Sequence, residues 1–396
     1  MLQFFSASTR MVNSRNAIVE CMESALGADK SCDLVMIHAS IGHDYQTLVD
    51  QARELAPTAR VVGASCCGIV GREGVSESMK DVAIMAVRGT EFAVAHVDDI
   101  NGRNAFEKSV EMAKQLRLQQ PGINMIYLLA SGIDIANDQC IQGIESIFGP
   151  DVTIFGATSS DNMRGIASYQ MVDATVFEHG AWAVGFADPT LRVDTQATHG
   201  FMAVGEPMTV TKADGTRILE LDGRPAWQEY TARLGLDPAQ ATCGDSIPVG
   251  ALVEELPAHL AAEYGNPHIP RVVTKRDADG AMYYATEIQE GTRVWLTVRD
   301  EDRIFSDMDR MMEQMNARAA GAKPIAVFHA DCLARGRYLF NRVMKEELVS
   351  RMQFPLSSDG AVPPWLGMYG FGEFARLGGA NTYHNYTTAI YAIYRR

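Results

Sequence analysis

The residues best suited to chemistry lie in the last quarter of the chain, in the stretches HADCLARGR, GMYGFGE and HNYTT. Cys332 stands close to Arg335 and Arg337, whose positive charges would lower the pKa of the thiol and make it reactive. The same two arginines could instead anchor a ligand carboxylate through paired hydrogen bonds. An enzyme would use Cys332 as nucleophile and His329 or His384 as base, but the sequence has no strong catalytic spacing. We therefore expect that the protein is not an enzyme.

Small polar side chains also follow the apolar runs that we predict to be strands. In open α/β sheets, ligands bind beyond the carboxyl ends of the strands, where such groups can hydrogen-bond a small polar ligand. Each of these residues alone is more simply explained as a cap or turn residue, so the prediction depends on the whole set. The predicted ligand-binding residues are Asp161, Asn162, Cys332, Arg335, Arg337, Tyr369, Glu373, Asn385 and Thr387.

The segment that starts at His384 combines polar groups with a strand pattern. In a strand, His384, Tyr386 and Thr388 share one face, while Asn385 and Thr387 share the other. His384 could hydrogen-bond a ligand, ligate a heme iron or satisfy buried backbone groups. For a lone histidine, the structural role is the commoner one.

The elements that must position these residues follow a pattern that recurs along the chain. The runs LVMIHASIG and MIYLLASGID end in small residues, and each precedes a second run of similar design, RVVGASCCG and TIFGATSSDN. Ala130 lies 91 residues after Ala39, and Ala157 lies 93 residues after Ala64, which indicates an internal duplication. A more diverged third copy begins at Ile325.

Amphipathic helices are expected between these strands, because apolar residues recur at helical spacing from Ile18, Phe106 and Ile304. The strands DVAIMAVRG, GAWAVGFAD and TTAIYAIY close the copies, and residues 200–291 differ in carrying the hairpin turn signals ADG and DADG. The predicted helix N-caps are Asn13 or Ser14, Asp99 or Asn101, and Asp300 or Asp302.

The pattern predicts an α/β (α+β) fold with mixed β-sheets and helices, built from repeated strand-helix-strand-helix-strand units. We divide the chain into two closely packed domains. Residues 1–215 contain the first two copies, and residues 216–396 contain the β-hairpin insertion and the third copy.

Composition excludes several classes of function. The net charge of −14 would repel nucleic acid and anionic lipid surfaces. No apolar run approaches the length of a bilayer, and the N-terminus lacks a signal-peptide core, so we expect a cytoplasmic protein. Seven cysteines without a C-x-x-C pair do not indicate a disulfide framework or a structural zinc site.

The chain resembles the FIST sensory proteins over essentially its whole length. VVGASCCGIVGREGV and IFGATSSDNM are similar to the N-terminal domain of that family, and FHADCLARGR, GMYGFGEFARLGG and HNYTTAI are similar to its C-terminal domain. The resemblance implies a cytoplasmic ligand sensor, with small metabolites such as amino acids as one ligand class. A subset of this size contains heme, senses nitric oxide and regulates a separately encoded histidine kinase or cyclic-di-GMP enzyme.

This chain resembles that subset in lacking a kinase or cyclase segment. The resemblance therefore implies an output through a partner protein. The chain could also form a homodimer. We favour heme b with nitric oxide over an amino-acid-like metabolite. His384 is the first candidate for the axial ligand, followed by His329 and His38. A scaffold that binds only proteins, through a helix rich in methionine, is a further alternative.

Overall fold

The chain folds as three repeats of one order of strands and helices, which the computed structural model describes for residues 1–162, 164–246, 251–336 and 342–396. Arg337, a predicted ligand-binding residue, lies outside the described residues.

Repeats 1 and 2 have the same succession of elements. Repeat 1 consists of β1 (Gln3–Thr9), α1 (Ser14–Leu26), β2 (Leu34–Ser40), α2 (Tyr45–Leu55), β3 (Arg60–Cys66), β4 (Ile69–Gly71), β5 (Gly74–Ser76) and β6 (Val82–Arg88). Repeat 2 consists of β7 (Phe92–Val97), α3 (Ala105–Gln119), β8 (Met125–Ala130), α4 (Asn137–Phe148), β9 (Thr153–Thr158), β10 (Tyr169–Val172), β11 (Thr175–Glu178) and β12 (Ala181–Phe186).

Repeat 3 has the same succession but is interrupted after its first strand, β13 (Leu191–Thr198). The interruption, called the insertion, consists of β14 (Phe201–Asp214), β15 (Arg217–Leu221), β16 (Arg224–Pro225), α5 (Ala226–Leu234), α6 (Cys243–Ser246), β17 (Leu252–Glu255), α7 (Ala258–Tyr264), β18 (His268–Arg271), β19 (Lys275–Arg276), β20 (Met282–Tyr283) and β21 (Arg293–Arg299). Repeat 3 resumes with α8 (Glu301–Ala319), β22 (Ala326–Cys332), a 3₁₀ turn (Leu333–Arg335), α9 (Arg342–Leu356), β23 (Trp365–Gly370), β24 (Glu373–Leu377), β25 (Ala380–His384) and β26 (Thr388–Arg395).

Local sequence explains where several helices begin. The Asn13 side chain caps α1 by accepting a hydrogen bond from the Asn16 backbone N–H, and Asp300 caps α8 in the same way. Both predicted caps are confirmed. The cap predicted at Asp99 or Asn101 is wrong, because α3 begins later, after Asn104.

Each repeat builds a mixed sheet, which confirms the predicted fold class. Sheet 1 has the order β1-β6-β2-β3, sheet 2 the order β7-β12-β8-β9, and sheet 3 the order β13-β26-β22-β23. In every sheet the two central strands of the repeat, such as β2 and β3, are parallel, while the closing strand is antiparallel to its neighbours.

The repeats exchange their hairpins in a ring. The hairpin β4-β5 of repeat 1 extends sheet 3 at β23, β10-β11 of repeat 2 extends sheet 1 at β3, and β24-β25 of repeat 3 extends sheet 2 at β9. We call these contacts the β4, β10 and β24 junctions. Each sheet is therefore completed by a different repeat.

Alternate strand residues explain how the sheets pack together. Met36, Tyr127 and Phe328 occupy equivalent places in β2, β8 and β22, and all three enter one central core. The Tyr127 and Phe328 rings are 4.8 Å apart between centroids. The opposite face of each sheet is covered by the two helices of its own repeat. The three repeats therefore share one core instead of folding around three separate ones.

The insertion forms a separate eight-stranded sheet, ordered β18-β17-β21-β14-β15-β20-β19 with β16 on β15. Residue 215 lies in the turn between β14 and β15, and the division into domains 1–215 and 216–396 stays a prediction. In α8, Met311, Met312 and Met315 are buried in the core of repeat 3. These methionines consequently do not offer the exposed surface that a scaffold would need.

Candidate functional site

A cavity of 440 Å³ opens where repeats 2 and 3 meet the insertion. Repeat 2 contributes loop residues after β8 and β9, repeat 3 contributes residues at and after the ends of β22, β23 and β25, and the described part of the insertion contributes four segments. Its described lining residues are Gly132, Ile133, Asp134, Ile135, Arg164, Gly165, Thr216, Thr242, Cys243, Gly244, Val272, Val273, Thr274, Lys275, Tyr283, Tyr284, Ala285, Cys332, Leu333, Ala334, Phe371, Tyr383 and Tyr386. A ligand here would contact three parts of the fold at once.

Three aromatic rings among the described residues of repeat 3 line this cavity. Phe371 follows β23, and its backbone N–H donates to the Thr158 carbonyl of repeat 2 at 3.3 Å. Tyr383 belongs to β25, and its hydroxyl accepts from Asn385 Nδ2 at 3.3 Å. Tyr386 has a φ of 53°, which makes the turn between β25 and β26 sharp. Tyr383 therefore belongs to the hairpin exchanged at the β24 junction, Phe371 to the segment that leads into this hairpin, and Tyr386 to the turn that follows it.

Glu373, at the start of β24, is the most unusual polar residue near the cavity. Its side chain is fully buried, and neither carboxylate oxygen has a well-formed hydrogen bond to the described residues. Burial raises the pKa of Glu373 well above its ordinary value, and the Asp331 carboxylate raises it further. Arg335 and the Thr387 backbone N–H act in the opposite direction. A buried carboxyl without a firm partner is costly to the fold, so its presence calls for a functional explanation.

Arg335 is buried against Asp331 and not against Cys332. Its Nε donates to Asp331 Oδ1 at 3.1 Å, its Nη1 donates to the His199 carbonyl at 2.8 Å, and its Nη2 is unpaired among the described residues. Burial raises the pKa of the Cys332 thiol well above its ordinary value, and the carboxylates of Glu373 and Asp331 raise it further. The prediction that Arg335 lowers the pKa of the Cys332 thiol and makes it reactive is therefore wrong. Cys332 lines the cavity as a neutral thiol.

Asp161 and Tyr369, two other predicted ligand-binding residues, form hydrogen bonds within the protein. The Asp161 carboxylate accepts from the backbone N–H groups of Arg164, Gly165, Ile166 and Ala167, so it shapes the loop that brings Arg164 to the cavity. Asn162 follows it in this loop and is half-buried. The Tyr369 carbonyl accepts from Ser160 Oγ at 2.8 Å, which ties repeat 3 to repeat 2.

The polar residues of the HNYTT stretch are also buried. Asn385 Nδ2 donates to the Phe371 carbonyl at 2.9 Å and so fixes the position of that ring beside the cavity. Its Oδ1 is unpaired in the described part of the chain. The Thr387 hydroxyl donates to the Asn385 carbonyl at 2.9 Å and lies 3.0 Å from the Tyr264 hydroxyl. These residues support the cavity wall from behind.

The three candidate heme ligands lie away from the cavity lining. His384 is fully buried, with Nε2 2.7 Å from Thr382 Oγ1 and Nδ1 3.3 Å from the Tyr264 hydroxyl. Burial lowers the pKa of His384 to about 3, and the positive charge of Arg271 adds to this effect. His384 thus fits the structural role that we considered the commoner one.

The other two histidines are held in a similar way. His329 Nε2 lies 2.9 Å from Thr388 Oγ1, and His38 Nε2 lies 3.1 Å from the Tyr127 hydroxyl in the central core. Burial lowers the pKa of His38 to about 4. Within the described ranges, no group of three or more His, Cys, Asp or Glu side chains could hold a metal ion. A histidine-ligated heme does not fit the residues that line this cavity.

The sequence reasoning missed the contribution of the insertion. Residues such as Thr242, Val273 and Tyr284 line the cavity but have no motif and lie far from HADCLARGR in the sequence. It also missed Tyr383 and Tyr386 as lining residues, although Tyr383 directly precedes the HNYTT stretch and Tyr386 lies within it. The available signal was the polar segment His384–Asn385 between two tyrosines, which favours a tight turn that exposes aromatic rings to a crevice.

Comparison with known proteins gives a consistent result. A family model for the FIST N domain matches residues 33–224, and a model for the FIST C domain matches residues 226–376. An uncharacterized protein of Mycobacterium tuberculosis is 24% identical over 335 residues, covering 84% of this chain and 83% of that protein. An uncharacterized protein of Mycobacterium bovis is 28% identical over 244 residues, covering 61% of this chain and 60% of that protein.

Among solved structures, phosphoribosylformylglycinamidine synthase II of Thermotoga maritima aligns with 100% of this chain and 72% of its own, at 9% identity. Its TM-score of 0.20 is too low to bear on the fold or the function. Of the helices that the structure describes, none combines the length and apolar character needed to cross a lipid bilayer.

Proposed function

The chain belongs to the FIST family, whose domains are associated with sensing small ligands in signalling, and on this premise we propose that it is a sensor that binds a small ligand in the 440 Å³ cavity. The observation that carries the proposal is the position of the cavity between repeat 2, repeat 3 and the insertion. A ligand that contacts all three favours the arrangement in which they are closest.

Ligand binding would be signalled by a change in the position of the insertion relative to the repeats. The insertion departs from repeat 3 after β13 and returns to it at α8, so a shift of its sheet acts on both elements. A separately encoded signalling protein, such as a histidine kinase or a cyclic-di-GMP enzyme, would distinguish the two states. An amino-acid-like metabolite is the ligand class that we propose first.

The test is a thermal-shift screen of small metabolites, including the amino acids, with a variant that blocks the cavity. Gly244 lines the cavity, and the nearest atom to a Cβ built there would be Thr242 Oγ1 at 3.6 Å, so Gly244→Trp should fill space without straining the backbone. Gly122→Trp is the matched control, because a Cβ at Gly122 would meet no described atom within 4 Å.

A true ligand at about 100 times its Kd should stabilise the protein by about 2.7 kcal/mol and raise its Tm by several degrees. We expect this shift in the wild type and in Gly122→Trp but not in Gly244→Trp. A shift of equal size in all three proteins would place the ligand elsewhere, and the absence of any shifting compound would contradict the proposal.

A more specific alternative, which the family resemblance implies, is that the protein binds heme and senses nitric oxide. The purified wild-type protein can be used to test it. Hemin titration followed by reduction and nitric oxide should give no near-stoichiometric absorption band, because both ring nitrogens of His384 lie within hydrogen-bond distance of hydroxyl groups. A saturating band that shifts with nitric oxide and disappears in His384→Ala would establish heme binding instead.

A further inference from the structure

Charged side chains line the mouth of the cavity. Among the described lining residues, Asp134, Arg164 and Lys275 carry charge, and all three are exposed. Arg164 and Lys275 are positive and Asp134 is negative, so this part of the lining has one positive charge in excess. The whole chain has a net charge of −14. The mouth of the cavity therefore has the opposite sign to the protein as a whole and favours an anion locally.

The two cations at the mouth are not committed to acidic partners. Lys275 Nζ lies 5.0 Å from the centroid of the Tyr283 ring, and Arg217 Cζ lies 5.6 Å from the same centroid. Arg217 is neutralised by Asp277, with Nη2 3.1 Å from Oδ2. Neither Lys275 nor Arg164 forms an ion pair with a residue that the structure describes. Both charges are consequently available to a ligand.

The loop that carries Arg164 is ordered by the protein itself. Asp161 Oδ1 accepts from the backbone N–H groups of Arg164 at 2.8 Å and Gly165 at 3.1 Å, and Asp161 Oδ2 accepts from that of Ile166 at 2.8 Å. The backbone at the mouth is therefore fixed before a ligand arrives. Only side-chain rotamers remain to be ordered on binding, which reduces the entropic cost.

The inner wall of the cavity is apolar and well shielded from solvent. Val273, Leu333 and Ala334 are each 3% exposed, Tyr383 is 4% exposed and Tyr386 is 1% exposed. Buried rings and aliphatic groups of this kind pack well against a flat apolar ring. The cavity volume of 440 Å³ is within the range of about 300–1,000 Å³ that is typical of sites for small organic ligands. An apolar ring therefore suits the inner part.

From the apolar wall and the charged mouth we infer that the ligand is an amphipathic organic anion, whose ring enters the cavity and whose carboxylate pairs with Arg164 and Lys275. The inference rests on the proposed function and specifies its ligand class. Arg164 belongs to repeat 2 and Lys275 to the insertion, so one carboxylate links these two parts of the fold. A ring without a carboxylate would fill the cavity but would not make this link.

Two kinds of small molecule combine a ring with a carboxylate, and Asp134 distinguishes them. A simple aromatic acid would use only the two cations. An aromatic amino acid would also place its ammonium group against the Asp134 carboxylate, which lines the same mouth. Phenylalanine and 3-phenylpropionate differ only in this ammonium group. Tighter binding of phenylalanine that is lost in Asp134→Asn would identify an amino acid, and tighter binding of 3-phenylpropionate would identify a simple acid.

The test of the carboxylate compares 3-phenylpropionate with 3-phenylpropan-1-ol, which has the same ring and chain but no charge. Calorimetric titration of the full chain gives both affinities. We expect the acid to bind about tenfold more tightly than the alcohol in low salt, because it adds a charge-assisted contact to two cations. High salt should reduce this difference, because exposed charges are screened.

Arg164→Gln and Lys275→Gln test the two cations separately. Each variant should fold, because both side chains are exposed. Each should weaken the binding of 3-phenylpropionate by about fivefold and leave the affinity for the alcohol unchanged, because the ring contacts are kept. Lys114→Gln is the matched control, since Lys114 is an exposed cation of α3 that is not among the lining residues. It should bind both probes as the wild type does.

Three results would each overturn the inference: equal affinity for the acid and the alcohol, unchanged affinity for the acid in either variant, or no binding of either carboxylate probe. The proposed function would survive these results on one condition. If a metabolite without a ring or without a carboxylate gives a thermal shift that Gly244→Trp abolishes, the cavity is a ligand site and only the inferred ligand class is wrong.

Discussion

Gln170, which pairs with Ala64 of β3, and Glu373, which pairs with Ala157 of β9, occupy equivalent places in two junctions of the same design, yet their surroundings differ. Gln170 is held by Ser159 and by the Gly180 backbone, so it joins repeat 2 to sheet 1 with its hydrogen bonds complete. Glu373 is equally buried, but it has no hydroxyl partner among the described residues, and although the Thr387 backbone N–H acts on its carboxylate, neither oxygen has a well-formed hydrogen bond there. The comparison teaches that the exchanged hairpin is a scaffold that tolerates either side chain. Where a buried polar side chain at such a junction lacks well-formed hydrogen bonds, as Glu373 does, we look for a functional reason.

Both junctions join repeats that share one core, so we expect the three repeats to unfold as one unit. Phe328→Ala tests this, and it has the largest expected effect on stability. Phe328 contacts the Phe4, Tyr127, Phe155 and Phe186 rings in the central core. Its truncation should lower the free energy of unfolding by about 3–5 kcal/mol. Urea unfolding followed by fluorescence and by circular dichroism should give one coincident transition.

The control for this experiment is Phe354→Ala, because that ring is 82% exposed and its loss should change stability by less than about 0.5 kcal/mol. Two separate transitions, or a loss for Phe328→Ala no larger than for Phe354→Ala, would show that the repeats do not depend on a shared core.

Gln170→Glu places a carboxyl group at the β10 junction, where the Gln170 amide has a hydrogen-bond partner for both its nitrogen and its oxygen. The Ser159 hydroxyl already donates to the Ala130 carbonyl, so an ionised carboxylate at position 170 could not replace the lost donor. We expect a loss of about 2–3 kcal/mol at pH 7.5. The loss should shrink at pH 5, where a protonated carboxyl can donate to Ser159. Urea unfolding at both pH values measures it, with the exposed Gln240→Glu as control for the added charge. An equal loss at both pH values would exclude this explanation.

Glu373→Gln has the smallest expected effect, and it is a gain. The pKa of Glu373 lies well above 4.5 in the folded chain, so the unfolded chain releases this proton first as the pH rises. The wild type therefore loses stability between pH 4.5 and the raised pKa, and the variant does not. At pH 7.5 we expect the variant to be more stable by about 1–2 kcal/mol.

The control is Glu313→Gln, at an exposed position of α8. Ligand-free protein is unfolded by urea across pH 5 to 8, and the difference between wild type and Glu373→Gln should grow with pH. A variant that is less stable than the wild type at pH 7.5 would mean that Glu373 is a structural group after all.

The repeats could be predicted because their signal is local. The strands DVAIMAVRG, GAWAVGFAD and TTAIYAIY are confirmed as β6, β12 and β26, since apolar runs bounded by glycine, aspartate and threonine identify buried strands. The exchange of hairpins could not be predicted. Ile69 pairs with Met368, almost three hundred residues away, and periodicity within a strand says nothing about which distant edge it joins.

The site was predictable only in part, for a different physical reason. Cys332 was identified and lines the cavity, whereas Glu373 was identified and is fully buried outside the cavity lining. Asp161 was identified too, but it accepts hydrogen bonds from its own loop. A polar residue after a strand has the same sequence signature whether it caps a loop or faces a ligand, so only its partners in space separate the two roles.

The ring of exchanged hairpins also bears on how the chain can be cut. A fragment ending after β12 would keep β9 without β24 and would leave β4 and β5 without their host strand β23. Such unpaired edges invite association between chains, so this fragment should aggregate when produced by itself. Co-expression with the remaining segment should rescue it, because each piece carries the strand that the other lacks. A gene of this design can be split but not shortened by one repeat.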